Sequence, residues 1–325
     1  MTAQSDRYPG YDAARAGAAF IDRSDRVRVE FTGAKAADTL NGLLTNDVLS
    51  LTPGTGQYAA ALTAKGKVIA DVRVFARDGA FLVDTPAAAG PGLLTMLRKY
   101  VNPRLAKYRD VSAELATIGV FGPGAARAVA SATGVGLPAV ESLALFGTAA
   151  AAAIIVARVP DLGVPGFDIL APPDAVDGLV AALRGAGATS LGAATAEVLR
   201  VEAGRPMYGP DMDETVLAQE AALDRLDAIS FDKGCYTGQE TVARVHFRGH
   251  VNRTLRGVRS GAEIASGAEL VNAEGAVVGT VRSIAQSPAY GPIALAYVRR
   301  EVEDGASVAI APGSGSATVT ALPFA

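Results

Sequence analysis

With 325 residues, 50% of them apolar, the chain exceeds one ordinary hydrophobic core and implies two or three domains. Basic side chains number 30 and acidic ones 33, so no global field exists to gather nucleic acid or an anionic membrane, and any anion must be held locally. No run reaches the ~18 apolar residues of a membrane helix, the segment before Gly17 lacks the apolar core of an export signal, and the single cysteine fits a reducing cytoplasm.

Val27, Val29 and Phe31 alternate with charged residues, the period of a half-buried strand over 25–31. Thr32 and Gly33 open a helix over 34–43 whose Leu40, Leu43 and Leu44 share a face. Strands follow over 57–63, 68–76 and 80–84, joined by hairpin turns at Lys65-Gly66-Lys67 and Asp78-Gly79. A helix is expected over 91–101, and the basic run 104–111 reads as a connection between subdomains. Strand 115–121 enters Gly122-Pro123-Gly124, which lacks the lysine and hydroxyl of a phosphate loop. A helix over 125–133, strands over 143–146, 151–159 and 167–170, and a helix from Pro173 to Gly185 complete the first half. The repeated order within 25–190 predicts two α+β subdomains divided near 104–122.

A helix over 193–203 stops at Gly204, with Pro206 beyond it, and places Arg200 and Glu202 on different sides. From Thr254 six short β runs, over 254–258, 269–271, 276–284, 293–298, 307–310 and 317–321, read as a small closed antiparallel barrel. The boundary falls near 249–253, giving a first region over 1–250 and a barrel over 251–325.

Between these parts lies Lys233-Gly234-Cys235-Tyr236-Thr237-Gly238-Gln239-Glu240, which holds the only cysteine. Residues 211–232 are acidic, with Arg225 their one cation, whereas Arg244, His246, Arg248, His250, Arg253, Arg256 and Arg259 follow, with no acid between Glu240 and residue 259. A cationic setting favours the thiolate, the reactive form of cysteine, while burial as a small hydrophobe is the alternative. A metal site from Cys235, His246 and His250 falls short of the usual four ligands, and Phe247-Arg248-Gly249 is a poor helix former. A Cys235 and His246 nucleophile pair lacks an identifiable oxyanion hole. A planar organic anion suits the chain better, with Asp71 or Glu202 for an amino-pyrimidine edge and Arg200 or Tyr208 for the remainder.

The octapeptide, with Val242-Ala243-Arg244-Val245-His246 and Arg248-Gly249, resembles the signature of YgfZ-type folate-binding proteins, relatives of the glycine cleavage aminomethyltransferase, the T-protein. Thr45-Asn46-Asp47-Val48, Gly66 to Val72, and Leu199 to Gly204 leading to Tyr208 and Asp211 resemble the same superfamily. The likeness implies an α+β fold in which two α/β subdomains and a C-terminal antiparallel barrel form a ring around tetrahydrofolate or a derivative, polyglutamylated forms included. It implies Cys235 as the functional thiol with Lys233, and Asp71 at the position of the T-protein's key acid. It further implies folate contacts from Asn46, Asp71, Arg200, Glu202, Tyr208, Lys233, Gly234, Tyr236, Gly238, Gln239, Glu240 and Arg244, and no metal ligands. Two departures from the T-protein pattern stand out, Ala70 where an acid precedes the key aspartate and Val164 where a glutamate grips folate. The expected function is therefore a cytoplasmic accessory protein that serves iron-sulfur client or assembly proteins, with neither nucleic acid nor membrane as partner. The alternative is a tetrahydrofolate-dependent aminomethyl or methyl transferase using Asp71.

Overall fold

The computed structural model describes residues 7–138, 143–149, 154–313 and 315–324. Two sheets face each other, each backed by helices, and a closed barrel packs beside them. The expected α+β architecture with a C-terminal six-stranded antiparallel barrel is the one observed.

The chain enters through α1 (Tyr11–Ala16) and β1 (Ala19–Asp22), then crosses within residues 23–26 to β2 (Val27–Thr32) of the other sheet. Helix α2 (Ala36–Leu43), β3 (Gly56–Leu62), β4 (Val68–Arg77), β5 (Ala80–Thr85), α3 (Gly90–Tyr100) and β6 (Lys107–Asp110) complete a five-stranded sheet of order β3-β4-β5-β2-β6. The basic segment expected as a bare connection is thus an edge strand paired to β2. Its lysine and arginine suit an edge, where charge discourages pairing with another chain.

β7 (Ala116–Phe121), α4 (Ala125–Thr133), β8 (Ala144–Ala149), β9 (Ile154–Arg158), β10 (Gly166–Ala171), α5 (Val176–Gly185) and β11 (Thr189–Ser190) build the second sheet, ordered β11-β1-β7-β10-β9-β8. Residues 151–153 of the strand expected over 151–159 lie outside the described residues.

Strand periodicity sorts the layers. In β4, Ala70, Val72 and Val74 pack under α2 and α3, while Asp71, Arg73 and Phe75 turn toward the facing sheet. In β10, Phe167 and Ile169 meet α4 and α5, and Asp168 and Leu170 turn inward. The space between the sheets therefore receives a charged row from each side.

Helix α6 (Ala193–Glu202) bridges to the barrel of β12 (Arg253–Ser260), β13 (Glu269–Val271), β14 (Val277–Ser287), β15 (Gly291–Arg299), β16 (Ser307–Ala311) and β17 (Gly315–Thr320). Arg200 donates to Ser283 Oγ at 2.6 Å, and Ser287 donates to Glu202 at 2.6 Å, so the last turn of α6 grips two points of β14. An apolar cluster holding Leu62, Val68, Val201, Met212, Tyr236, Leu255, Leu295 and Tyr297 fills the seam. No described helix is long and apolar enough to cross a membrane.

Candidate functional site

A cavity of about 400 Å³ opens between the two sheets, walled by the 23–26 crossover, Tyr58 and Asp71 of the β3–β4 hairpin, the 160–162 loop, and α6 with residues 205–207. Phe121, Leu143, Leu162, Pro206 and Met207 supply apolar wall, and five arginines line it, Arg23, Arg26, Arg73, Arg200 and Arg205.

Asp71 is one of the carboxyls in its wall. Tyr58 donates its hydroxyl to Asp71 Oδ2 at 2.8 Å, while the buried Oδ1 has no hydrogen-bond partner among the described residues. Burial raises the pKa of Asp71, opposed by the Tyr58 hydrogen bond and by Arg26. Burial likewise lifts Tyr58 well above its ordinary value, reinforced by the neighbouring carboxylate. The two residues meet because of a β-bulge. Leu62 pairs with Val68 but Ala61 with Ala70, so Ile69 is an extra residue that shifts the register by one. Tyr58 consequently opposes Arg73 and lies diagonal to Asp71 on the inner face.

Beneath them runs an ionic cluster that joins the sheets. Arg73 pairs with Asp84 at 2.9 Å, Asp161 at 3.0 Å and Asp168 at 2.9 Å, and Arg23 pairs with Asp161 at 2.5 Å and Asp168 at 3.0 Å. Arg26 bonds Asp84, whose pKa burial would raise but which Arg26 and Arg73 hold down at about 2. Asp161 is lowered as well: burial opposes ionisation, and Arg73 and Arg23 outweigh it. Asp168 is thus ion-paired to two arginines, and Val164, where the T-protein pattern has a glutamate, packs in the apolar cluster between the sheets.

Of the residues expected to form the site, the cavity wall brings together Asp71 and Arg200. Arg200 is saturated by its own protein, donating to both oxygens of Glu197, to Asp211 at 2.7 Å and to Ser283. Tyr208 stands just behind, half-buried, its pKa raised by burial and by Glu214, Asp213 and Asp71. Glu202 faces away from the cavity, accepting from Tyr11 at 2.8 Å and from Ser287. Asn46 ties two chain segments, its Nδ2 donating to the carbonyls of Tyr58 and Asp227 at 2.9 and 2.7 Å.

The octapeptide lines no part of this cavity. Lys233 Nζ donates to the carbonyls of Asn41, Leu44 and Asn46 at 2.6, 2.8 and 2.7 Å, which satisfies the end of α2 and leaves no proton for an anion or a thiolate. Burial lowers its pKa to about 8. Tyr236 is core, its pKa pushed up to about 12 by burial, and Gly238 has φ +88° with Thr63 O only 2.6 Å from where a Cβ would sit. Gly238 caps α7 (Gln239–Arg248), so the stretch expected to resist helix formation is helical through Arg248. Gln239 is half-buried, whereas Gly234, Cys235, Glu240 and Arg244 are exposed. His246 stacks on Phe231 at 3.6 Å between ring centroids. Among the described residues no group of three or more His, Cys, Asp or Glu is placed to hold a metal ion.

Sequence reading passed over Tyr58, Arg26, Arg73, Asp161, Glu197 and Arg205. Only Tyr58 left a trace, as an aromatic in a hairpin strand opposite the key acid.

A family model described as the GCVT N-terminal domain matches residues 9–233, and one described as the glycine cleavage T-protein C-terminal barrel domain matches residues 253–325. An aminomethyltransferase of Streptomyces coelicolor is 30% identical, the alignment covering 96% of this chain and 87% of the relative. One of Rubrobacter xylanophilus is also 30% identical, over 97% of this chain and 85% of the relative. The crystal structure of glycine cleavage system aminomethyltransferase T from Bartonella henselae superimposes with a TM-score of 0.86 at 24% identity, covering 97% of this chain and 88% of that one. These matches correct the expectation, drawn from the Cys235 motif, of a YgfZ-branch protein serving iron-sulfur clients. The near full-length relatives bear the name aminomethyltransferase, and Cys235 lies on the surface outside the cavity.

Proposed function

The chain belongs to the glycine cleavage T-protein family, and from that premise we propose that it is a tetrahydrofolate-dependent one-carbon transferase, moving an aminomethyl or methyl group, with Asp71 as its acid-base carboxyl. One observation carries the reading: a buried carboxyl in the wall of a ligand-sized cavity, one oxygen held by Tyr58 and the other without a hydrogen-bond partner among the described residues.

Membership of this family implies tetrahydrofolate as the cofactor, and the residues present suit it. About 400 Å³ falls in the range of pockets that enclose organic ligands. Its apolar wall suits a flat ring, Asp71 Oδ1 is an acceptor awaiting an N–H donor, and Arg205, whose guanidinium has no partner among the described residues, can meet an acidic group. When bound, tetrahydrofolate supplies amine nitrogens able to take up a one-carbon unit.

The protein's own contribution is proton handling at a buried carboxyl. A group transferred to an amine requires that the amine lose a proton and the donor's leaving group gain one. Asp71 can do both at Oδ1, because Tyr58 occupies Oδ2 and fixes the plane of the carboxyl. Burial raises its pKa toward the range in which a carboxyl exchanges protons readily. Phe121, Leu162 and Met207 add apolar wall to the same cavity.

The test is tetrahydrofolate-dependent turnover of an aminomethyl or methyl donor by purified variants. Asp71→Asn keeps the Tyr58 hydrogen bond but removes the exchangeable proton, and turnover falls by about 10²-fold or more. Cys235→Ala retains wild-type turnover. An active Asp71→Asn protein, or one silenced by Cys235→Ala, removes Asp71 from the centre of the reaction.

A further inference from the structure

The five arginines of the cavity are not equivalent. Arg23 and Arg73 hold Asp161 and Asp168, Arg26 holds Asp84, and Arg200 holds Glu197 and Asp211. Arg205 is different. It lines the cavity, is half-buried, and among the described residues its guanidinium has neither a hydrogen-bond nor an ion-pair partner.

Its backbone is fixed on both sides. Arg205 N donates to Arg200 O at 3.1 Å, and the Arg205 carbonyl accepts from the Arg200 guanidinium. Gly204 before it adopts φ +65° with Leu322 packed where a Cβ would be, and the buried Pro206 follows. The side chain therefore leaves from a main chain with little freedom, and a site that immobilises a group beforehand loses less on binding. Arg205 lines the same cavity as Tyr58 and Asp71, and its charge opposes the rise of the Tyr58 pKa. An arginine partly withdrawn from water without a counterion is unfavourable in the free protein, and a carboxylate arriving with a ligand removes that cost with a planar, two-pronged match.

We propose that Arg205 is the anion-reading residue of the cavity, binding a carboxylate of the ligand so that a pterin bearing an acidic tail is selected over one without. The assignment rests on the folate reading above and adds to it a determinant of which pterins are accepted. Arg200, though cationic and in the same wall, cannot serve, since Glu197, Asp211, Ser283 and the Arg205 carbonyl take up its donors.

Isothermal titration under reducing conditions with two probes separates the possibilities: tetrahydrofolate, which carries carboxylates, and tetrahydrobiopterin, which carries none. In the wild-type protein tetrahydrofolate binds more tightly. Arg205→Ala weakens tetrahydrofolate by about tenfold or more and leaves tetrahydrobiopterin unchanged, and Arg205→Lys, which keeps the charge without the fork, recovers part of the loss. Unchanged tetrahydrofolate affinity in Arg205→Ala, or an equal loss for both probes, overturns the assignment while leaving the folate reading in place. A wild-type protein that binds neither probe overturns the folate reading and this assignment with it.

Discussion

Asp71 occupies a position that costs the folded state. Its pKa is raised from 3.8 by burial, so the fold binds the proton more tightly than the unfolded chain does. The penalty is absent below 3.8, grows as pH rises through that value, and is complete above the raised folded pKa. Asp71→Asn abolishes it. Thermal unfolding should therefore show the variant melting above wild type at about pH 7, with the gap closing toward about pH 3. A variant less stable than wild type at neutral pH would mean that the carboxylate is net stabilised. At this scale the key acid was visible in the sequence, since Gly66 to Val72 resembles the family stretch that carries it. Its partner was not. A regular register would set Tyr58 opposite Val72 and away from Asp71, and only the extra residue Ile69 turns the two to one face. Arg205 was equally hidden, because lacking a partner is a property of the folded neighbourhood and leaves no mark on composition.

In the octapeptide, residue types that suggest chemistry in the sequence have structural contacts in the fold. Its lysine, buried tyrosine and glycine at φ +88° are each explained by packing: Lys233 closes α2, Tyr236 fills the seam with the barrel, and Gly238 lets α7 start against the β3–β4 turn. Replacing Lys233 with methionine strands three carbonyls and removes three charge-assisted hydrogen bonds, a loss of about 3 kcal/mol in denaturant unfolding. Turnover per folded molecule should stay near wild type. A large fall in turnover with unchanged stability would return the lysine to the chemistry. Long elements with clear periodicity, such as α2, β4 and the barrel strands, were legible because burial imposes its period on them. β1, β6 and β11 were missed: they span four residues or fewer and take their pairing from distant parts of the chain. The 23–26 crossover depends on that misread boundary, and with it went Arg23 and Arg26, which the sequence set at the entrance of a strand and the fold delivers to the cavity.

In the whole molecule, two sheets back-filled by helices leave a charged interior that no single strand could have announced. The arginine and aspartate cluster links β4 and β5 of one sheet to β10 of the other, fixing the width of the cavity, while α6 fastens that pair to β14 of the barrel through Ser283 and Ser287. The layout leaves a cavity between the sheets with Asp71 in its wall, and leaves Cys235 on the outside. A crystal structure of the protein with tetrahydrofolate tests this most directly. The account predicts ligand density between β4 and α6, with a ring N–H within hydrogen-bonding distance of Asp71 Oδ1. Density lying instead against the Cys235 segment, with the cavity at Asp71 filled only by water, would contradict it.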